Sequence, residues 1–107
     1  MPNSRVSNLY PYVNNSVGTM EMLSVGTGAV TSFQTTYDTR TRYIVLDVQD
    51  NDVYVTYTGE DPVRTGTVKG HILYAGRSYT WNIETAQAAR FISVGGTAII
   101  AATEFTD

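Results

Sequence analysis

Apolar and polar positions alternate with a period of two along much of this chain, the spacing that lays one face of a strand against a core. Ile44, Leu46 and Val48 share a face of a strand predicted over 43–48, and Val53, Val55 and Tyr57 share a face of the next, over 53–58. The polar Gln49-Asp50-Asn51-Asp52 between them reads as a hairpin turn. Met20 to Val25 and Ala29 to Thr36 flank Gly26-Thr27-Gly28, whose glycines supply the backbone freedom of a tight hairpin. His71 to Tyr74 and Ser78 to Ile83 flank Ala75-Gly76-Arg77, and the second run puts Tyr79, Trp81 and Ile83 on one core-facing side. Arg90 to Val94 and Thr97 to Phe105 flank Gly95-Gly96, a two-residue loop suited to a primed turn. The run Ala98-Ile99-Ile100-Ala101-Ala102 is continuously apolar, as in a strand that is central or covered on both faces.

Between these runs, Gly59 to Thr67 carries Pro62 and two glycines and reads as a loop, with order resuming near Val68. Glu84 to Ala89 has the one good helical composition. Asn82 is placed to cap its first turn, and six residues make only a turn or two. Residues 1–19 mix Pro, Asn and Ser with isolated apolar residues at neither period, which predicts an extended N-terminal arm followed by a domain over 20–107. The expectation is an all-β fold: one β-sandwich or jelly-roll-like domain of about eight strands with one short helical turn.

Composition agrees with that reading. Thr (16), Val (12) and Ile (6) make up about a third of 107 residues and Tyr adds 8, a profile suited to pleated, half-buried surfaces. A formal charge of −3 with only 7 Lys and Arg, scattered along the chain, leaves no basic stripe for nucleic acid. No apolar run approaches the length needed to span a bilayer, and Met1 to Tyr10 lacks the basic end and apolar stretch of a signal peptide, so the chain is expected to be soluble and unexported. With no cysteine there is no disulfide, thiolate nucleophile or thiolate metal site.

Catalytic and metal chemistry each lack a component. The only histidine, His71, has no second His or Cys to complete a metal site, and Ser78, the nearest serine, has no acid placed to orient an imidazole between them. Asp47, Asp50, Asp52, Glu60 and Asp61 supply carboxylates, yet Val53, Tyr54 and Val55 follow where a calcium loop requires a third ligand and a glycine, so these read as turn carboxylates. No glycine-rich phosphate loop occurs. The expectation is a protein with no cofactor, no metal and no catalytic activity. Of the eight tyrosines, half or more are expected in the core or in cross-strand pairs. The rest, with Trp81, raise a carbohydrate-binding module as an alternative, against which Trp81's alternation with Tyr79 and Ile83 places it toward the core.

Three segments carry a family resemblance. They are Tyr54-Val55-Thr56-Tyr57-Thr58-Gly59-Glu60-Asp61-Pro62, Gly70-His71-Ile72-Leu73-Tyr74-Ala75-Gly76-Arg77-Ser78-Tyr79-Thr80-Trp81, and Ala89-Arg90-Phe91-Ile92 with Gly96-Thr97-Ala98-Ile99-Ile100. Together, over roughly residues 40–105, they resemble small virion proteins of tailed bacteriophages. The resemblance implies a non-enzymatic structural subunit, of the kind that acts as a capsid cement or decoration protein binding the major capsid protein, often as a trimer. It would be made in the host bacterial cytoplasm and would end on the capsid surface. A neck or tail adaptor, or a fibre-associated virion protein, is the alternative. Residues 1–40 lie outside the resemblance, and the arm's spaced apolar residues Val6, Leu9, Tyr10, Tyr12 and Val13 are the expected partner-binding positions, able to add a strand to a neighbour or lie in its grooves.

Overall fold

The β-branched runs do form strands, but their hydrogen-bonded partners are mostly not their neighbours in sequence. A computed structural model describes residues 16–37 and 40–106. In chain order these form β1 (Ser16–Val25), β2 (Thr41–Gln49), β3 (Val53–Thr56), β4 (His71–Leu73), β5 (Ser78–Asn82), α1 (Ile83–Ala88), β6 (Arg90–Ser93) and β7 (Ala98–Thr106). Seven strands make two antiparallel sheets, ordered β1-β7-β2-β5 and β4-β3-β6. The fold is therefore all-β, as the alternation predicts. The apolar run at 98–102 sits in β7, a central strand hydrogen-bonded to β1 on one side and β2 on the other, with Ala98, Ile100, Ala101 and Ala102 buried.

None of the three predicted hairpins forms among the described residues: at two of them the short connection carries the chain from one sheet to the other, and at the third the second strand is absent. β2 and β3 lie in different sheets, as do β4 and β5, and β6 and β7. Ala29 to Thr36 is not a strand: only Thr31 bridges, to Phe91 of β6, by two backbone bonds of 3.0 and 2.8 Å. The next backbone N–H groups bond a side chain in place of a ladder. The Glu21 carboxylate accepts from the Gln34 N–H at 2.9 Å, the Thr35 N–H at 3.1 Å and the Thr35 hydroxyl at 2.7 Å, and so straps the segment across β1. The 57–70 connection between β3 and β4 is a loop, closed by a Val63–Lys69 bridge, and β4 starts at His71.

Three of the crossings are clasped together. Asp50 takes a left-handed φ of 76°, a conformation that favours short polar residues, and sends Asn51 and Asp52 toward the other crossings. The Asp52 carboxylate accepts from the Ala75 N–H at 2.8 Å, and its carbonyl accepts from the Val94 N–H at 2.9 Å. The Asn51 side-chain amide donates to the Thr97 carbonyl at 2.7 Å. These three adjoining polar residues thereby tie the β2–β3 crossing to the β4–β5 and β6–β7 crossings.

A single buried cluster draws on both sheets: Leu23 and Val25 of β1, Ile44, Leu46 and Val48 of β2, Val53 and Val55 of β3, Phe91 of β6, and Ala98 and Ile100 of β7. Tyr79, Trp81 and Ile83 pack against this cluster from its flank, because β5 is the outermost strand of its sheet. Trp81 stacks over Phe91 with ring centroids 6.1 Å apart, and Phe33 meets the same Phe91 edge-on at 5.1 Å. At the helix, the Asn82 side chain accepts from the Thr85 N–H at 2.8 Å, the predicted cap.

Candidate interaction surface

In the larger sheet, residues directly opposite on neighbouring strands share a face, so the register sorts every position. Leu23, Ile100 and Val48 form one row facing the core; Glu104, Ile44 and Trp81 form another. On the opposite, outward face the rows are Val17, Phe105, Tyr43 and Asn82; then Met20, Thr103, Val45 and Thr80; then Met22, Ala101, Asp47 and Ser78. The face therefore grades from apolar at β1 to polar at β5.

Its apolar margin is open. Val17 is 68% exposed, Met20 60% and Met22 57%, while Tyr43 and Phe105 stack beside them at 5.1 Å with planes 16° apart. β1 is also the end of its sheet and contains no Lys, Arg or Pro, the residues that usually blunt a free edge. Its one charge, Glu21, lies on the inward side and is engaged with Gln34 and Thr35. A register shift between Val17 and Met20 marks a bulge at Gly18-Thr19, across which the outward apolar row continues.

The inward polar residues near this bulge are individually satisfied. Glu104 is only 4% exposed and accepts from the Thr19 N–H at 3.0 Å and the Thr41 hydroxyl at 2.7 Å. Burial, followed by the nearby Glu21 and Glu104 charges, pushes the Tyr37 hydroxyl up to about 12, since its anion would be poorly solvated and repelled.

The partner-binding positions expected from sequence, Val6, Leu9, Tyr10, Tyr12 and Val13, lie outside the described residues. The Met20 and Met22 stripe was not among them. Of the carboxylates read as turn residues, Asp47 lies instead within β2, and four have separate partners. Ser78 donates to Asp47 at 2.9 Å, Arg90 pairs with Asp61 at 2.8 Å and Lys69 with Glu60 at 3.3 Å, while Asp52 serves the crossings. Among the described residues no group of three metal-ligating side chains converges, and no helix is long and apolar enough to cross a membrane. Of the described tyrosines, Tyr37, Tyr57 and Tyr79 pack against the core, Tyr43 stacks on its cross-strand neighbour, Tyr54 lies half-buried in β3 opposite Ile72 and Ile92, and Tyr74 is exposed beneath Arg77.

His71 is exposed at the start of β4, with its ring 5.7 Å from that of Tyr57. The two line a surface pocket with Thr58, Glu60, Lys69 and Gly70. Comparison with family models, curated proteins and solved structures finds no match to this chain.

Proposed function

We propose that this chain is a non-enzymatic structural subunit of a tailed-phage particle, acting as a capsid cement or decoration protein on the major capsid protein. The observation that carries the proposal is the open apolar margin of β1. Exposed contiguous apolar surface along the end strand of a sheet is costly in a free monomer and useful in an assembly, where a partner's side chains cover the methionines. The resemblance to small virion proteins supports the same reading, with the two sheets taken as a jelly-roll-like sandwich and the protein as a trimer on the capsid surface. Val6, Leu9, Tyr10, Tyr12 and Val13 remain the partner contacts proposed from the sequence.

The test is cosedimentation with expanded phage heads together with light scattering. Trimers that pellet with heads are expected, and Met20→Lys with Met22→Lys, both on exposed positions, should abolish pelleting while leaving the melting curve unchanged. A strict monomer that stays in the supernatant would defeat the proposal. Labelling within particles distinguishes a cement, which covers the head, from a neck or tail adaptor, which marks a single vertex.

A further inference from the structure

The pocket beside His71 is separate from the β1 margin and is built from the smaller sheet. Its cavity volume is about 350 Å³, at the lower end of small-molecule sites. The chain delivers its walls from two directions. β3 ends at Thr56 and passes Tyr57, Thr58 and Glu60 along one side, and the returning strand brings Lys69, Gly70 and His71 along the other. The return is fixed by the paired 3.0 Å backbone bonds between Val63 and Lys69. It is also fixed by Gly70, whose φ of 138° is strained for any other residue and whose added Cβ would stand 3.2 Å from Tyr54 Cβ and the Val55 carbonyl.

The chemistry of the walls is mixed in an informative way. The Tyr57 and His71 rings both line the pocket, their centroids 5.7 Å apart and their planes tilted by 32°. Opposite charges at Glu60 and Lys69 are paired at 3.3 Å, so the pocket has no net charge to favour an anion or a cation. Glu60 also accepts from the Thr58 hydroxyl at 3.1 Å, and these bonds hold its carboxyl below the usual range, fixing an oriented acceptor beside an oriented ammonium donor. Aromatic rings for an apolar C–H surface, with an ion pair at the rim that offers a donor and an acceptor but no net charge, match a ligand that is apolar on its face and hydroxylated at its edge.

We infer that this pocket binds a neutral pyranose unit of an oligosaccharide, stacked on Tyr57 and His71 with its hydroxyls bonded to Glu60 and Lys69. The inference stands independently of the virion proposal. The protein also carries its own reporter. Trp81, the only tryptophan, meets the Tyr57 ring edge-on at 5.5 Å and 82°, so pressure on Tyr57 reaches the indole.

The experiment titrates the full chain with neutral trisaccharides of glucose, galactose and N-acetylglucosamine, read by Trp81 fluorescence and by calorimetry. A saturable change with one of them, in the millimolar range and with matching constants from both methods, is expected. His71→Ala, at an exposed position that spares the fold, should weaken it by about tenfold or more. Inorganic phosphate should neither bind nor compete. The inference is overturned if no sugar saturates, if His71→Ala binds as tightly as the parent, or if phosphate displaces the sugar.

Discussion

A methyl group added at Gly18 would collide with the Glu104 side chain. The added Cβ would stand 2.4 Å from Cγ, 2.6 Å from Oε1 and 2.8 Å from Cδ, where ordinary contact begins at 3.4 Å. The obstacle is the stem of the side chain as well as its end, so Glu104 must move bodily by about 1 Å. That movement stretches its bonds to the Thr19 N–H and the Thr41 hydroxyl beyond hydrogen-bonding distance. A nearly buried carboxylate is left short of donors, at about 1.5–3 kcal/mol for each charged bond lost. Partial relaxation and the lower chain entropy of alanine in the unfolded state offset some of this. Gly18→Ala should therefore destabilise the fold by about 2–4 kcal/mol.

The assay is urea unfolding of four proteins: the parent, Gly18→Ala, Glu104→Ala and the double variant. Glu104→Ala alone opens space and strands its donors, and should also destabilise. In the double variant the new methyl group enters the vacated space, so the second change should cost less than about 1 kcal/mol, a coupling of about 2 kcal/mol. Additive losses, or a Gly18→Ala midpoint equal to the parent's, would refute the close packing of these two residues.

Phe91→Ala removes a fully buried ring that contacts both Trp81 and Phe33; it should cost about 3–5 kcal/mol in urea unfolding and red-shift the native Trp81 emission. Tyr37 keeps its proton to about 12 in the fold, whereas an unfolded tyrosine loses it near 10. Its contribution is thus intact below pH 10 and is lost as pH rises from about 10 toward 12. Tyr37→Phe should lose less stability than the parent between pH 8 and pH 11, and equal losses in paired urea melts would count against the burial argument. Asn82→Ala removes the acceptor for the Thr85 N–H and should lower stability by about 1 kcal/mol by calorimetric melting, with Asn82→Asp restoring most of it.

The strands were legible in the sequence because their signal is local. Ile44, Leu46 and Val48 alternate inward as predicted, Ala98 to Ala102 occupy the covered strand, and Asn82 caps the helix. Pairing was not legible. Gly95-Gly96 or Asp50-Asn51-Asp52 encode a change of direction, but whether the chain returns to its own sheet or crosses to the other depends on distant groups, such as the Val94 N–H that meets Asp52. The β1 surface was hidden for a related reason. In Met20-Glu21-Met22-Leu23, alternation alone would bury the methionines and expose the glutamate. The opposite holds because Glu21 finds three hydrogen bonds on the inward side and Leu23 joins the core.

The placement of β7 between β1 and β2 also sets a timetable. The larger sheet joins residues 16–25 and 41–49 through residues 98–106, and among the described residues β3 with β4 is the only pair of successive strands bonded to each other. During synthesis β1 and β2 therefore emerge well before β7, the strand that joins them. The β1-β7-β2 arrangement cannot form until β7 is available, and such distant pairing bears the entropy of closing long loops. Folding should accordingly be abrupt and late, and a nascent chain stalled before residue 98 should be readily digested by protease.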